Sequence, residues 1–266
     1  DHDLPPQHRR EILRLGNYHL PQLFNAPTGL AKFNPPDDVH AMVRDVEFCG
    51  ALYYCDLVAE ILDRAGLGFQ DGGRYLDFGC SSGRVVRTLA AQYRNSRFMG
   101  CDPNSGAIAW ANQEMPNIEF FVSPENPPLA LPAASLDGAY AISIWSHFSA
   151  RAAAYWLDEL YRVIKPGGFL VFTTHGFGSL IHYKETGTVI EEELVKAKHN
   201  LDEYGFHFID VFGKGGDWGV GESDWGNAFI NPAYMLKNLH PHWSLLDFMT
   251  RRAEGNQDVY LLKRAG

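Results

Sequence analysis

The stretch at residues 76–84, LDFGCSSGR, joins an apolar run to a helical pattern through two glycines four positions apart. The pattern predicts a strand over residues 74–78, a tight turn, and a helix over 84–93. In an open parallel sheet, ligands bind beyond the carboxyl ends of the strands, where such a turn lies. Because glycine tolerates positive φ and lacks a Cβ, a ligand can approach the backbone at Gly79 and Gly83. The stretch therefore predicts a ligand-binding turn.

The sequence after this turn alternates strand and helix patterns. Helices are predicted over residues 105–112, with Ser105 as N-cap, and over 151–164, followed by a Lys-Pro-Gly-Gly stop. Further strands are predicted over residues 97–101, 118–122, 138–144 and 169–174. Strands separated by helices of this length imply right-handed crossovers and a parallel sheet covered on both faces.

Three other regions complete the organisation. Residues 1–72 hold helical patterns over 39–44 and 50–65 and are predicted to be an N-terminal helical extension of a domain at 73–266. Residues 176–231 hold one predicted helix, over 190–198, and a glycine- and tryptophan-rich segment; they are predicted to be an acceptor-side insertion or lid. The chain ends with a helix at 232–239 and the runs WSLLDFMT and DVYLLKR, which predict an antiparallel hairpin.

The second predicted strand ends in Cys101-Asp102, and its position favours a nucleoside ligand. An aspartate at this edge can accept hydrogen bonds from both hydroxyls of a ribose. Nicotinamide and flavin sites use G-x-G-x-x-G, in which a pyrophosphate sits on the helix N-terminus. Here the turn reads G-x-x-x-G and lacks the middle glycine, which favours a nucleoside without phosphates.

Four segments in order resemble the class I S-adenosylmethionine (SAM)-dependent methyltransferases: LDFGCSSGR, GCDPNS, LPAASLDGAYAISIWSHF and LYRVIKPGGFLVFTTHG. The resemblance implies an α/β, Rossmann-like, doubly wound, mostly parallel seven-stranded sheet with a C-terminal antiparallel hairpin, and SAM as cofactor. It implies that Asp77 and Ser143 contact the methionine part, Asp102 the ribose, and Pro103, Asn104 and Glu125 the adenine, with Gly79, Cys80 and Gly83 lining the cofactor through backbone. Cys80 and Ser82 stand where the family commonly has glycine or alanine.

Two histidines follow predicted strands at the same functional edge. His147 follows the fourth strand in SIWSHFS, and His175 follows the fifth in FTTHGFG. A hydroxyl acceptor needs a general base, and histidine can serve near neutral pH. Either histidine could equally be a packed structural residue.

Trp145, Trp218 and Trp225 are candidate stacking surfaces for an acceptor, with a core role as the alternative. Asp217, Glu222 and Asp224 are further acids that the insertion could bring over the acceptor, with a solvated surface role as the alternative.

A second resemblance concerns the acceptor. The tail GNQDVYLLKR, the His-Gly after the fifth strand and the segment WGNAF resemble methyltransferase modules of bacterial polysaccharide biosynthesis. This resemblance implies O-methylation of a sugar or glycan hydroxyl. Methylation of another small metabolite, a SAM-binding module without turnover, and a nicotinamide-dependent reductase are the alternatives.

Composition limits the partners and the compartment. The formal net charge of −9, without a Lys/Arg run longer than two residues, argues against nucleic acid as substrate. The sequence contains no apolar run long enough to predict a membrane span. The four cysteines (Cys49, Cys55, Cys80 and Cys101) form no metal-binding spacing and are expected to be reduced thiols of a cytoplasmic protein. The missing initiator Met suggests a module of a larger polypeptide or a processed product.

Overall fold

The computed structural model describes residues 47–187, 189–211, 220, 224–238 and 241–266, with side chains from residue 52 onward. The fold is α/β, with a seven-stranded, mostly parallel sheet and helices, and a separate two-stranded sheet. The chain divides into two compact units, residues 1–123 and 124–266. No helix among the described residues is long and apolar enough to cross a membrane. The predicted helix over 39–44 lies outside the described residues.

The first unit alternates helices and strands: α1 (Glu47–Arg64), β1 (Arg74–Phe78), α2 (Arg84–Gln92), β2 (Arg97–Asp102), α3 (Ser105–Glu114) and β3 (Glu119–Val122). Its strands are parallel in the order β3-β2-β1. Both β1 and β2 are buried over most of their length, as parallel strands covered on two faces must be. The core packs Leu76 of β1 with Val58 and Ile61 of α1 and Val86 and Leu89 of α2 among its fully buried residues.

The second unit begins with β4 (Leu136–Ala141), α4 (Ala150–Val163) and β5 (Ile164–Thr174). It continues with α5 (Phe177–Thr186), α6 (Glu191–Glu203), β6 (Phe206–Ile209), β7 (Asn227–Ile230), α7 (Pro232–Asn238), β8 (Trp243–Ala253) and β9 (Gln257–Arg264). In the order β4-β5-β9-β8, β4 and β5 are parallel and β9 is antiparallel to both of its neighbours. The predicted C-terminal hairpin is therefore confirmed.

Two details of this unit differ from the predictions. The Lys-Pro-Gly-Gly segment does not lie outside the strand: β5 starts at Ile164, and its pairing with β4 is interrupted by an irregularity between Leu136 and Gly138. The region predicted as irregular contains an additional helix, α5, and the antiparallel pair β6–β7. These insertion elements have a small core of their own, formed by Leu180, Leu194, Ala197, Leu201 and Phe229.

Candidate active site

The turn after β1 has the unusual backbone that its glycines predict. Gly79 and Gly83 have φ of 79° and 83°, and Ser81 between them has φ of 49°. Three left-handed residues in five reverse the chain between β1 and α2. At Gly83, however, a Cβ would lie 2.9 Å from Met115 Cε and 2.9 Å from the Phe120 ring. The positive φ of Gly83 still agrees with the sequence interpretation, and a side chain there would in addition require Met115 or Phe120 to shift.

The hydrogen bonds of this turn decide what kind of ligand it can hold. The N–H groups of Gly79 and Cys80 both donate to the Cys101 carbonyl, at 2.9 and 3.0 Å. The Gly83 N–H donates to the Cys80 carbonyl at 2.9 Å, and the Ser81 N–H donates to Asp102 Oδ2 at 2.8 Å. Phosphate loops bind anions with backbone N–H groups that point at the ligand. Since four of the five N–H groups here are already used, the turn is unsuited to a diphosphate.

Asp102 is the acidic residue at the end of β2. Its Oδ2 accepts the Ser81 N–H and its Oδ1 accepts the Asn104 N–H, the latter at 2.9 Å. A carboxylate has about four acceptor positions, so each oxygen keeps one for a ligand hydroxyl. Burial raises the pKa of Asp102, and the hydrogen bonds from Asn104 and Ser81 oppose that rise. The half-buried group therefore fits the two hydroxyls of a ribose.

The remaining residues predicted for the first unit are placed as follows. Asp77 is buried, at 3% exposure, on β1. Pro103 and Asn104 are half-buried. Asn104 Oδ1 accepts the Ala107 N–H at 3.0 Å, so Asn104, and not the predicted Ser105, is the N-cap of α3. The thiols of Cys55, Cys80 and Cys101 are free and buried, and burial raises the pKa of each one. The Cys49 side chain lies outside the described residues.

A buried polar network lies at the carboxyl ends of β4 and β5 in the second unit. The Ser143 N–H donates to Thr173 Oγ1 at 2.7 Å, and the Thr173 hydroxyl donates to Gln257 Oε1 at 2.6 Å. Gln257 Nε2 then donates to Ser143 Oγ at 2.8 Å and lies 3.2 Å from His175 Nε2. Because a backbone N–H can only donate, Ser143 orients the whole chain of bonds. Ser143 itself has φ of 62°, which costs free energy outside glycine and is typical of functional sites.

This network determines the tautomer and the protonation of His175, which is 3% exposed. Because the Gln257 amide donates to it, Nε2 is the lone-pair nitrogen and the ring proton is on Nδ1. The Tyr183 hydroxyl, 2.8 Å from the same Nε2, is then also a donor. Burial lowers the pKa of His175 to about 3; His147 adds to this shift, and the backbone of Ala228 opposes it. His175 is therefore a neutral, hydrogen-bonded side chain at physiological pH.

The buried, neutral His175 has a consequence for stability. Its pKa is about 3 in the folded chain and 6.5 in the reference state, so the unfolded chain binds more protons between these values. We expect the free energy of unfolding to fall as the pH falls from about 6.5 toward 3, by on the order of 1 kcal/mol per pH unit from this group. Urea unfolding of the wild type and His175→Gln at several pH values checks this. The difference between the two should shrink on acidification; a constant difference would show that His175 is not held neutral.

His147 differs from His175 in its environment. It is half-buried, and its Nδ1 lies 2.7 Å from the Gly226 carbonyl. A carbonyl only accepts, so Nδ1 carries the proton and Nε2 is the basic nitrogen of the neutral ring. The ring stacks on Trp225, with centroids 4.8 Å apart and planes at 28°. The centroid of the His175 ring is 6.2 Å away. The structure therefore brings both predicted histidines into one cluster.

Two of the three tryptophans predicted as an acceptor platform, Trp145 and Trp225, lie among the described residues, and both are buried. Trp145 is fully buried, packs against Phe148 and Phe172, and donates from Nε1 to the Ala153 carbonyl at 3.3 Å. The predicted acceptor-stacking role is therefore wrong for Trp145, because its ring is enclosed by the core. Trp225 is 8% exposed and one of its neighbours is His147. Trp218, Asp217 and Glu222 lie outside the described residues, and Glu125 is exposed.

Sequence reasoning missed Thr173, Tyr183 and Gln257. None has a motif of its own, although Gln257 lies within the tail GNQDVYLLKR. An open groove of about 550 Å³ also lies on the second unit, and its lining comprises Asn126, Pro127, Arg151, Tyr155, Asp158, Glu159 and Arg162. The Arg162 guanidinium in this groove donates hydrogen bonds to Glu159 and to the carbonyls of Leu129 and Leu131. The polar network, and not the groove, thus holds the predicted acid–base residues.

Comparison with known proteins relates part of the chain to methyltransferases. Residues 76–168 match a family model described as a methyltransferase domain. A fatty-acid O-methyltransferase of Mycolicibacterium smegmatis is 30% identical over 105 residues, which are 39% of this chain and 37% of that protein. A cycloartenol-C-24-methyltransferase of Arabidopsis thaliana is 31% identical over 106 residues, 38% of this chain and 31% of that protein. The matches thus span about a third of the length of these curated relatives.

Solved structures share the fold over a larger part of the chain. A SAM-dependent methyltransferase of Methanosarcina mazei has a TM-score of 0.54 at 21% identity and covers 74% of this chain and 94% of its own. A SAM-dependent methyltransferase of Clostridium acetobutylicum has a TM-score of 0.54 at 13% identity, with coverages of 86% and 96%. At such identities the likeness concerns the fold. Residues 76–168 thus match a methyltransferase domain, and the chain shares the fold of two solved SAM-dependent methyltransferases.

Proposed function

We propose that the protein transfers a methyl group from SAM to a hydroxyl of a small molecule, with a sugar or glycan hydroxyl as the acceptor and His147 as the general base. The observation that carries this proposal is the hydrogen bond from His147 Nδ1 to the Gly226 carbonyl. It fixes the tautomer in which Nε2 can accept a proton. The proposal takes residues 73–266 as the methyltransferase domain, residues 176–231 as its acceptor-side insertion and residues 1–72 as an extension.

For the cofactor, the proposal assigns the ribose hydroxyls to Asp102. The support is the geometry of its carboxylate, which two backbone N–H groups hold in place. Most N–H groups of the turn already donate hydrogen bonds within the protein, which favours a phosphate-free ligand over a dinucleotide. The remaining cofactor contacts follow the family resemblance and are assigned to Asp77, Gly79, Cys80, Gly83, Pro103, Asn104, Glu125 and Ser143. When bound, SAM supplies a methyl group already activated on a sulfonium.

A hydroxyl acceptor is favoured because the second unit offers a histidine with a fixed tautomer. The pKa of an alcohol lies far above neutrality, so its attack on a methyl group requires proton removal as the bond forms. The acceptor oxygen would give its proton to His147 Nε2 and bond to the methyl carbon through a lone pair, while the bond from that carbon to the sulfonium sulfur breaks and leaves its electron pair on the sulfur. The chain's other contribution is to hold the oxygen on the methyl axis, which can supply several kcal/mol of the barrier.

His147 is favoured over His175 as the base. Both candidates were predicted, but His175 Nε2 already accepts hydrogen bonds from Gln257 and Tyr183. Its pKa of about 3 makes it a weak proton acceptor. We assign His175 to the positioning of Tyr183, which it contacts directly, and of Ser143, which it reaches through Gln257. Trp225 is assigned to the orientation of the His147 ring, on which it stacks.

A sugar hydroxyl is proposed because three short patterns converge in the structure. The His-Gly after β5 supplies His175, the segment WGNAF supplies Gly226, and the tail GNQDVYLLKR supplies Gln257. These are the patterns that resemble polysaccharide-modifying methyltransferases. The buried free thiols agree with a reducing compartment, and we propose the cytoplasm as the location.

The test is incubation with methyl-labelled SAM and a panel of acceptors comprising mono- and oligosaccharides, fatty acids and phenols. Label in a methyl ether of a sugar is expected, and its loss in His147→Gln would assign the base. Label only in a fatty acid or a phenol would contradict the sugar acceptor and leave methyl transfer intact. SAM binding without label in any acceptor would favour a binding module without turnover.

A further inference from the structure

The segment at residues 224–228 runs alongside the loop that carries His147. The Gly226 N–H donates to the His147 carbonyl at 2.8 Å, and the Ala228 N–H donates to the Ser146 carbonyl at 2.8 Å. At the other end, the Ser149 N–H donates to the Asp224 carbonyl at 2.9 Å. The two stretches thus pair as a short antiparallel ladder, with an isolated bridge between Phe148 and Trp225.

Asp224 fastens one end of this ladder through its side chain. Its Oδ1 accepts the Ser149 hydroxyl at 2.5 Å, and its Oδ2 accepts the Arg151 guanidinium. The carboxylate is only 16% exposed, whereas the Arg151 side chain is 56% exposed. Charge-assisted hydrogen bonds are about twice as strong as neutral ones. Asp224 is therefore a shielded anchor on the first turn of α4, and not an acid directed at an acceptor.

In the sequence, Asp224 comes directly before the two residues that orient the His147 ring. Trp225, the next residue, supplies the ring on which the imidazole stacks, and Gly226 supplies the carbonyl that accepts the Nδ1 proton. Gly226 has no room for a side chain, because a Cβ there would lie 2.3 Å from the Ile209 carbonyl oxygen. A displacement at Asp224 therefore acts on the stacking partner and the tautomer-setting carbonyl together.

We propose that Asp224 is a positioning residue for His147: by fastening residues 224–228 to Ser149 and Arg151, it places the Gly226 carbonyl so that the His147 proton stays on Nδ1 and Nε2 remains basic. This inference rests on the proposed role of His147 as the general base. It assigns a positioning function to an acid that the sequence alone presents as an acid over the acceptor or as a surface charge. It also explains why the segment WGNAF begins directly after an acid.

The test reads the His147 tautomer directly, without an acceptor or SAM. Long-range ¹H–¹⁵N NMR of the ¹⁵N-labelled chain at about pH 8, where free histidine is neutral, distinguishes the two ring tautomers, and His147→Gln assigns the signals. The wild type should show His147 protonated on Nδ1. In Asp224→Asn, which keeps the shape but removes the charge, the Nε2-protonated form should become populated. Unchanged tautomer populations would overturn the proposal.

Two further variants keep the test decisive. Asp202→Asn removes a comparable carboxylate of the insertion, which pairs with Lys198 at 2.5 Å, and should leave the His147 signals unchanged. If Asp224→Asn does not fold, Arg151→Gln removes one of the two side-chain partners and should cause a smaller shift in the same direction. A tautomer change in Asp202→Asn as large as in Asp224→Asn would assign the effect to general loosening and contradict the proposal.

The kinetic counterpart separates positioning from stability. With any acceptor that is labelled, Asp224→Asn should lower kcat about ten-fold and leave the KM for SAM within about two-fold, since a displacement of about 1 Å can cost more than this. In the His147→Gln background it should cause no further loss, because both residues act through the same step. An equal loss of kcat in the wild-type and His147→Gln backgrounds would mean that Asp224 acts independently of His147.

Discussion

Replacing Asp102 with Asn is expected to weaken SAM binding about 100-fold. The carboxylate at the end of β2 keeps an acceptor position on each oxygen after it accepts the N–H groups of Ser81 and Asn104. Hydrogen bonds to a charged group are worth about 1.5–3 kcal/mol each, and the amide retains only one oxygen acceptor. Isothermal titration with SAM and with S-adenosylhomocysteine measures the loss, which should be similar for both ligands because they share the ribose.

The matched control is Asp71→Asn. Asp71 is exposed in the same unit and accepts a single hydrogen bond from Asn95 Nδ2 at 3.1 Å. This variant should bind SAM as the wild type does. The free energy of unfolding must be measured for both variants, since the amide introduced by Asp102→Asn would place a donor against the Ser81 or Asn104 N–H. Retention of wild-type affinity by a folded Asp102→Asn variant would contradict the assignment of the ribose to Asp102.

The second large effect is expected on turnover in His147→Gln. General base catalysis contributes about 10²–10⁴-fold, so kcat should fall about 1,000-fold while the affinity for SAM is unchanged. Glutamine can still donate to the Gly226 carbonyl but cannot take up a proton. Steady-state kinetics with the labelled acceptor, and titration with SAM, give the two quantities.

His199→Gln is the control for this substitution. His199 is exposed on α6 and its replacement should leave both quantities unchanged. His175→Gln should lower kcat by less than His147→Gln, because a glutamine can still contact Tyr183 and Gln257 and because His175 is not the proton acceptor. A larger loss in His175→Gln than in His147→Gln would exchange the roles of the two histidines.

The alternating part of the fold was predictable because its signals are local. The strand over residues 74–78 agrees with β1, and the helix over 84–93 agrees with α2 to within one residue. Apolar periodicity and glycine turns specify such elements without reference to distant parts of the chain. Ser105 was mistaken for the N-cap of α3 because Asn104 and Ser105 are both good caps. Only the geometry shows that Asn104 Oδ1 accepts the Ala107 N–H.

The insertion was less predictable because its elements depend on tertiary contacts. Strands β6 and β7 have four residues each and pair with each other across seventeen intervening positions, from Ile209 to Asn227. Helix α5 has Gly176 as its N-cap and Gly178 in its first turn, and glycine is a weak helix former. The helix is stabilised by its burial against Phe229 and α6, and not by the intrinsic helix propensity of its residues.

The site was predictable in its candidate residues but not in their roles. The positions of His147 and His175 after strands β4 and β5 suggested two bases. Their difference arises from Gln257 and Gly226, which are 82 and 79 residues away in sequence from their respective histidines. The φ of 83° at Gly83 agrees with the predicted need for glycine, whereas the packing of Met115 and Phe120 against this position was not predictable. Contacts of this range leave no local pattern in one sequence.

The most direct measurement is a crystal structure of the chain with S-adenosylhomocysteine. The account predicts electron density for the ligand along the turn at residues 79–83, with both ribose hydroxyls within hydrogen-bonding distance of the Asp102 carboxylate. Density for the ligand elsewhere on a folded chain, or none at saturating concentration, would contradict it.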